Sequence, residues 1–430
     1  MSHRPPQAAT GPLAGLVVCE LSTVLAGPYC TMLLADLGAE VIKVEPLGLD
    51  ATRGWGPPFV GAPDPGAAYP PDDPRSQLGY RGESAYYLAI NRNKRALRLD
   101  LHLPAGRAVL SRLLGRSDVL VENLRSGGLA RLGFGEEELE RLSPGLVHLA
   151  ITGYGPDGPL AERAGFDFII QAVSGLMSIT GAPDAAGGEP TKVGVAISDL
   201  TTGMLGALAV VAALEGRGRP GSPAFGRGQR IDLSLFEATL SWLANQATNH
   251  LVGGLVPGRL GNEHPNITPY ETFRTADGQI AVAVGTERQW PLFCAAVGRP
   301  ELAAEGRFGS NAERVAHRRE LRDILEAAFA TASSAAWLAR LEEAGVPCGP
   351  INDLAAAYAE PQAQVRRMVE TVEHPTAGPL RLPGIPFKLA RTPASVRRAP
   401  PLPGQHTDEL LAWLGYGPAE IAALRAAEVV

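Results

Sequence analysis

The sequence is poor in cysteine, has no excess of positive charge and lacks two common catalytic signatures. Its 430 residues include four cysteines, none at metal-ligand spacing, which fits a reducing compartment without a disulfide framework. The net charge of −6 argues against a nucleic-acid-binding surface, which is usually basic. Neither a G-x-x-x-x-G-K-[ST] phosphate loop nor a G-x-S-x-G nucleophile elbow occurs. The sequence therefore predicts a cytoplasmic protein with no metal site and no nucleic-acid partner.

Segments that would direct the chain to a membrane are also missing. Residues Met1–Pro12 are polar and rich in proline, without the apolar core of a signal peptide. The longest apolar run, Met204–Leu214, is shorter than the roughly 20 residues that cross a bilayer. We expect an unstructured leader, a buried helix and no membrane partner.

The first third of the chain alternates strand and helix patterns. Apolar runs that end in polar loops predict strands at Leu16–Leu21, Glu40–Glu45, Ala96–Leu101, Asp118–Val121 and Leu146–Thr152. Helical patterns lie between them, at Pro28–Leu37 and Pro104–Leu114. This alternation predicts an α/β fold with a doubly wound parallel sheet.

The remainder of the chain divides by composition. A short apolar strand is predicted at Val193–Ile197, followed by a long helix that begins near Asp199 and ends near Gly216. Residues Arg217–Arg230 have the glycine and proline content of a linker, and Ile231–Val252 has a helical pattern. We place a large domain at 1–220, a small domain at 221–340 and a C-terminal segment at 341–430.

Polar and glycine-rich residues follow the predicted strands. They include Ser22–Thr23, Pro46–Arg53, Glu122–Asn123 and Gly153–Gly155. In open α/β sheets, ligands bind at the carboxyl ends of the strands. These residues therefore either line a ligand site or are polar because strand ends are exposed, and the local pattern does not separate the two.

Three side chains stand out as chemical candidates. Asp199 precedes a long apolar helix, where the helix dipole favours an anion, so it is either an N-cap or an ionised nucleophile. Asp167 lies in an apolar context and is either another cap or a second active-site acid. His264 lies in a polar loop, where a histidine is a general acid or base or is merely exposed.

Taken together, the motifs resemble those of the class III CoA-transferases, typified by formyl-CoA transferase and carnitine CoA-transferase. The resemblance extends from about residue 12 to 415 and depends on the order and spacing of many short motifs. These are Leu25–Pro28, Leu37–Glu45, Asp50–Trp55, Asn91–Arg95, Val121–Asn123, Leu132–Phe134, Gly153–Pro159, Gly165–Asp167, Ser198–Met204, Gly226–Gln229, Gly345–Pro350 and Gly404–Asp408.

The resemblance implies a fold and an activity that the residues alone do not establish. The N- and C-terminal segments would form one large Rossmann-like domain, the middle a small α+β domain, and two chains an interlocked homodimer. Asp199 would be the nucleophile, with Asp167 beside it. The substrates would be acyl-CoA thioesters and small carboxylic acids, and no cofactor would be tightly bound.

The resemblance also implies residues for each part of the substrate. Residues that match the family's CoA contacts are Thr23, Leu25, Ala26, Leu99, Asp100, Leu101, His102, Asn123, Leu124 and Arg131. Those assigned to the substrate pocket are Trp55, Phe166, Gly261 and His264.

Three positions differ from relatives with these motifs. Pro46 replaces a basic residue at the adenine end of the formyl-CoA transferase site, and the segment Gly261–Pro269 keeps only the first glycine of the family's active-site loop. The related α-methylacyl-CoA racemases have a histidine at the position of Phe166. Because proton exchange at an α-carbon needs two bases, Phe166 leaves that exchange without one partner. CoA transfer is therefore favoured, and racemase-like chemistry is the alternative.

Overall fold

A computed structural model describes residues 10–61 and 82–430, and this part of the chain forms two compact units. The first contains the described residues up to Ser174, Gly194–Ala247 and Pro361–Val430, and the second contains Gly175–Val193 and Thr248–Glu360. The domain boundaries expected at 220/221 and 340/341 differ from the boundaries of these two units. The second unit also includes residues 175–193. Most of the leader Met1–Pro12 lies outside the described residues.

Strands and helices are numbered in chain order. The strands are β1 (Val17–Leu21), β2 (Glu40–Glu45), β3 (Phe59–Val60), β4 (Glu83–Ser84), β5 (Lys94–Arg98), β6 (Val119–Glu122), β7 (Val147–Thr152), β8 (Arg230–Ser234), β9 (Tyr270–Arg274), β10 (Gln279–Ala283), β11 (Cys348–Pro350), β12 (Val369–His374) and β13 (Gly378–Pro383). Short 3₁₀ helices occupy Ala51–Gly54, Met177–Ile179, Asp184–Ala186, Pro300–Ala303 and Gly306–Phe308.

The α-helices are α1 (Ala26–Asp36), α2 (Ala85–Ile90), α3 (Pro104–Leu114), α4 (Gly128–Arg131), α5 (Glu136–Leu142), α6 (Asp167–Val173), α7 (Ile197–Gly218), α8 (Leu235–Ser241), α9 (Ala244–Leu251), α10 (Gln289–Ala296), α11 (Asn311–Ala316), α12 (Arg318–Phe329), α13 (Ser334–Glu343), α14 (Leu354–Ala359), α15 (Pro361–Val365), α16 (Thr407–Trp413) and α17 (Pro418–Ala426).

The first unit is built on a six-stranded sheet in the order β5-β2-β1-β6-β7-β8, with every adjacent pair parallel. Alternate side chains enter two cores. Val18, Val41 and Val119 face α1 and α7, whereas Ile42 and Leu120 face α3, α5 and α16. Burial of both faces explains the continuous apolar runs of these strands, and the predicted α/β fold is confirmed.

Helix α7 begins two residues earlier than predicted and is not preceded by a strand. Residues 193–196 are irregular, and the helix runs from Ile197 to Gly218. Gly203 lets it approach α1 closely, since an added Cβ would lie 2.7 Å from the Ala26 carbonyl oxygen. The predicted strand at 193–197 was wrong because a run of small apolar residues fits both periodicities.

By length and composition alone, α7 could cross a membrane. The expectation that it is too short rested on the run 204–214, whereas the helix has 22 residues. Within the first unit it packs against α1, α6, α8, β7 and β8, as the crossover helix of an α/β sheet does.

Two other segments of the first unit differ from expectation. The predicted helical segment Ile231–Val252 begins instead with the edge strand β8, Arg230–Ser234, whose alternating burial fits a strand. The strand expected at Ala96–Leu101 lies at Lys94–Arg98 instead. The strand begins two residues earlier, at Lys94 and Arg95, which are buried because Glu20 and Glu40 pair with them.

A buried ion network joins β1, β2 and β5 below the carboxyl edge of the sheet. The Glu20 carboxylate lies 3.1 Å from Lys43 Nζ and 2.9 Å from Lys94 Nζ, and Lys43 also contacts Asp50 at 2.9 Å. Lys43 donates to the Ser22 carbonyl oxygen at 2.9 Å, and Lys94 donates to that of Pro28. The network therefore fixes the chain that leaves β1.

The second unit has its own core. Strands β9, β10 and β11 form an antiparallel sheet, and helices α10, α12 and α13 cover it around Phe273, Phe293, Phe329 and Trp337.

Replacing Lys43 with methionine tests the ion network. The substitution removes one buried cation and leaves Glu20 and Asp50 with fewer partners. We therefore expect the free energy of unfolding, measured in urea, to decrease by about 3–5 kcal/mol. The exposed Lys192 offers a matched control, Lys192→Met. Equal stability of the two variants would show that the network does not hold the fold.

Candidate active site

A cavity of about 390 Å³ opens at the carboxyl ends of β1, β6 and β7. Helix connections run in opposite directions from β1 and from β6, so the cavity lies at the topological switch point, where ligands bind in such sheets. The residues that line it are Thr23, Val24, Leu25, Ala26, Asn123, Leu124, Arg125, Ser126, Ile151, Thr152, Gly153, Ala161, Glu162, Arg163, Ala164, Gly165, Phe166, Asp199 and Leu235. Five predicted CoA contacts are among them: Thr23, Leu25, Ala26, Asn123 and Leu124.

The loop after β1 is held in one conformation. The Asn123 side chain accepts a hydrogen bond from Thr23 N at 3.0 Å and donates one to Thr23 O at 2.8 Å. The next residue, Val24, has a φ of 69°, which is strained for a β-branched side chain. Glu122 accepts from Leu124 N at 2.7 Å on the facing loop. The two loops at the switch point are thus fastened to each other.

Asp199 lines this cavity and is 8% exposed. It is the third residue of α7, so it is not the N-cap. The capping acceptor is the carboxylate of Asp167, whose Oδ1 accepts from Ser198 N at 2.8 Å and from Asp199 N at 3.4 Å. The two acids that the sequence singled out are therefore neighbours, and Asp167 is the cap.

Burial raises the pKa of Asp199 to about 7, and the nearby Asp167 carboxylate adds to the increase. The sequence led us to expect that the helix N-terminus would keep this carboxylate ionised. Desolvation outweighs that effect at this position. A carboxyl group poised near neutral pH in a cavity is typical of functional sites.

The charges of Asp199 and Asp167 act on Tyr86, a residue that the sequence did not single out. Burial and then the charges of Asp199 and Asp167 raise its pKa to about 12, so it keeps its proton. Trp55, predicted in the substrate pocket, packs edge-on against Tyr86 with ring centroids 5.1 Å apart. Nothing local distinguishes Tyr86 from Tyr87, which is fully buried beneath Arg53.

The chain is similar to known proteins over most of its length. Residues 13–407 match the family described as CoA-transferase family III. The chain is 41% identical over 406 residues to succinate–glutarate CoA-transferase from Agrobacterium fabrum, covering 94% of this chain and 96% of that protein. It is 39% identical over 421 residues to human succinyl-CoA:glutarate CoA-transferase, covering 97% of this chain and 90% of that protein.

The chain belongs to CoA-transferase family III. It is therefore a transferase whose substrates include CoA thioesters. A crystal structure of a CaiB/BaiF family protein from Brucella suis has the same fold, with a TM-score of 0.79 and 39% identity, covering 94% of this chain and 99% of that one.

The other predicted CoA contacts lie outside the lining of the Asp199 cavity. Leu99 is buried in the core beside α3. Asp100 N donates to Val429 O, and Asp100 Oδ1 accepts from His102 N. His102 is exposed beside Leu101, and Arg131 is exposed at the end of α4. Their contact with CoA stays a prediction.

Gly261 and His264 lie in the second unit. Gly261 has a φ of 65°, which suits glycine, and its N–H donates to Gly181 O. His264 stacks obliquely on Tyr270 at 5.2 Å, and its Nδ1 accepts from Asn266 N at 3.1 Å. Burial and then the Arg318 guanidinium lower its pKa. Their part in the substrate pocket stays a prediction.

The raised pKa predicts a pH-dependent stability change for Asp199→Asn. The folded protein binds the Asp199 proton more tightly than the unfolded chain, so this stabilisation is present below pH 3.8 and is lost as pH rises towards 7. Asparagine resembles the neutral acid. In urea unfolding, the free energy of unfolding of the variant relative to that of the wild type should therefore increase by roughly 1–3 kcal/mol from pH 5 to pH 8.

The exposed Asp157 provides the control for that experiment. Asp157→Asn should leave the difference between pH 5 and pH 8 unchanged. A constant stability difference for Asp199→Asn across this range would contradict the raised pKa.

Proposed function

We propose that the protein transfers coenzyme A from an acyl-CoA donor to a carboxylic acid through a covalent thioester on Asp199. The observation that carries this proposal is the buried Asp199 carboxylate at the switch-point cavity, with its pKa raised to about 7. Membership of CoA-transferase family III supports it.

The reaction exchanges one thioester for another. The Asp199 carboxylate attacks the donor carbonyl carbon, the C–S bond breaks, and a mixed anhydride and CoA thiolate form. The thiolate then attacks the Asp199 carbonyl, which yields the aspartyl-CoA thioester and releases the donor acid. The acceptor carboxylate repeats both steps in reverse and regenerates Asp199, so no ATP is consumed.

The surroundings of Asp199 suit this chemistry. Its partial desolvation makes the ionised carboxylate a stronger nucleophile than an exposed one. Tyr86 keeps its proton under the influence of the two acids, and we propose that its hydroxyl donates to charge that develops on a reacting oxygen.

Small dicarboxylic acids are the substrates that we propose. The relatives described above are named for succinate and glutarate. The exposed guanidinium groups of Arg125 and Arg163 line the cavity, and guanidinium geometry suits a carboxylate or a phosphate. The cytoplasmic location stays a prediction.

An exchange assay tests the proposed function. The protein should transfer CoA from succinyl-CoA to glutarate without ATP. The rate of this exchange should fall more than about 1000-fold in Asp199→Ala because the nucleophile is absent. Asp157→Ala is the control. Full exchange by Asp199→Ala would overturn the mechanism. If the protein removed deuterium from the α-carbon of a branched acyl-CoA and did not transfer CoA between acids, racemase chemistry would instead be favoured.

We further propose that the active form is a homodimer. Two neighbouring helices of the first unit expose large apolar side chains: Phe168, Ile169 and Val173 on α6, and Met204, Leu208 and Val211 on α7. A contiguous apolar face of this kind is typical of protein interfaces. The family resemblance supports an interlocked pair of chains.

Leu208, which is 65% exposed, offers the test of this interface. Leu208→Glu places a charge in the apolar face and should convert a dimer to a monomer in light scattering after size-exclusion chromatography. Val365, another exposed residue of the first unit at 78%, gives the control Val365→Glu. A wild-type monomer, or dimers of both variants, would contradict the proposed interface.

A further inference from the structure

Asp167 uses both carboxylate oxygens as hydrogen-bond acceptors. Oδ1 accepts from the backbone N–H groups of Ser198 and Asp199, at 2.8 and 3.4 Å, and Oδ2 accepts from Gln171 Nε2 at 2.7 Å. An ionised carboxylate only accepts hydrogen bonds, so this set of donors suits the charged form. An acid that supplied a proton would need one oxygen free as a donor, which this arrangement does not provide.

The position of this cap distinguishes it from an ordinary one. A cap is usually local to its helix, whereas Asp167 begins a separate helix, α6, and holds the start of α7 from there. The backbone that it holds is that of Asp199 itself. The Ser198 hydroxyl on the same turn accepts from Thr239 of α8, so α6 and α8 together fix the orientation of the turn that carries Asp199.

The charges around the start of α7 come from several elements. The other titratable or charged groups on the neighbouring helices and cavity loops are Tyr29, Cys30 and Asp36 of α1, Tyr86 and Tyr87 of α2, Glu237 of α8, and Arg125, Glu162 and Arg163 of the cavity wall. Of these groups and Asp167, it is the Asp167 carboxylate that raises the pKa of Asp199 in addition to burial.

We propose that Asp167 is a positioning residue with two effects: its hydrogen bonds fix the backbone at Asp199, and its charge sets the pH range in which Asp199 acts as a nucleophile. This inference rests on the proposed function of Asp199. The two effects oppose each other in part, since the same carboxylate that orients Asp199 also disfavours its ionisation.

Two substitutions separate the effects. Asp167→Asn keeps an oxygen that accepts from Ser198 and Asp199 but removes the charge, and Asp167→Ala removes both. The pH dependence of kcat/KM, with succinyl-CoA as varied donor and glutarate as acceptor, reports the ionisation of the free enzyme. Circular dichroism melting establishes that each variant is folded.

The acid limb of the Asp167→Asn profile should move to lower pH. At pH 5.5 the variant should retain roughly threefold more of its own maximal kcat/KM than the wild type retains, which corresponds to a shift of about half a pH unit. Asp167→Ala should instead lose at least about tenfold in kcat at every pH. If it does not fold, Asp167→Asn alone decides the question.

Two results would overturn the inference. If Asp167 had a purely structural role as a cap, the acid limb of the Asp167→Asn profile would lie at the same pH as that of the wild type. If Asp167 donated a proton in the reaction, Asp167→Asn would lose as much kcat as Asp167→Ala. In both cases Asp199→Asn would still be inactive. An active Asp199→Asn would instead refute the proposed function, so the two failures are distinguishable.

Discussion

Desolvation of the Asp199 carboxylate is the constraint on which the site depends. The group is 8% exposed at the start of an apolar helix, and burial raises its pKa to about 7. A carboxylate in this position loses hydration, which disfavours its charged form. Capping by Asp167 stabilises the turn and at the same time adds a like charge. The combined result is a buried carboxyl group whose pKa lies near neutral pH.

The sheet brings the other parts of the site to this carboxylate. Its strand order places the loops after β1 and β6 on either side of the switch point, and Asn123 fastens one to the other. Beneath them, Lys43 joins the Glu20 network to the Ser22 carbonyl. A buried network of this kind costs desolvation, but it gives the cavity a fixed wall next to the nucleophile.

Much of the fold follows from local sequence patterns. The bounds Glu40–Glu45 and Pro104–Leu114 are those that periodicity predicts. The polar strand ends left a ligand site and simple exposure equally open, and only the folded chain shows the cavity there. Pairing across the chain explains the differences. Lys94 lies inside a strand because Glu20 neutralises it, and α7 begins at Ile197 because Asp167 caps it. Tyr86 has no local signal, since only the folded chain brings it near the two acids.

The proposed mechanism requires a covalent bond between Asp199 and coenzyme A. Mass spectrometry of peptides, from protein that has been incubated with succinyl-CoA and quenched in acid, would detect this bond directly. We expect a CoA adduct on the peptide that contains Asp199, which hydroxylamine converts to a hydroxamate at that residue. Exchange of CoA with no adduct, or with an adduct on another residue, would contradict it.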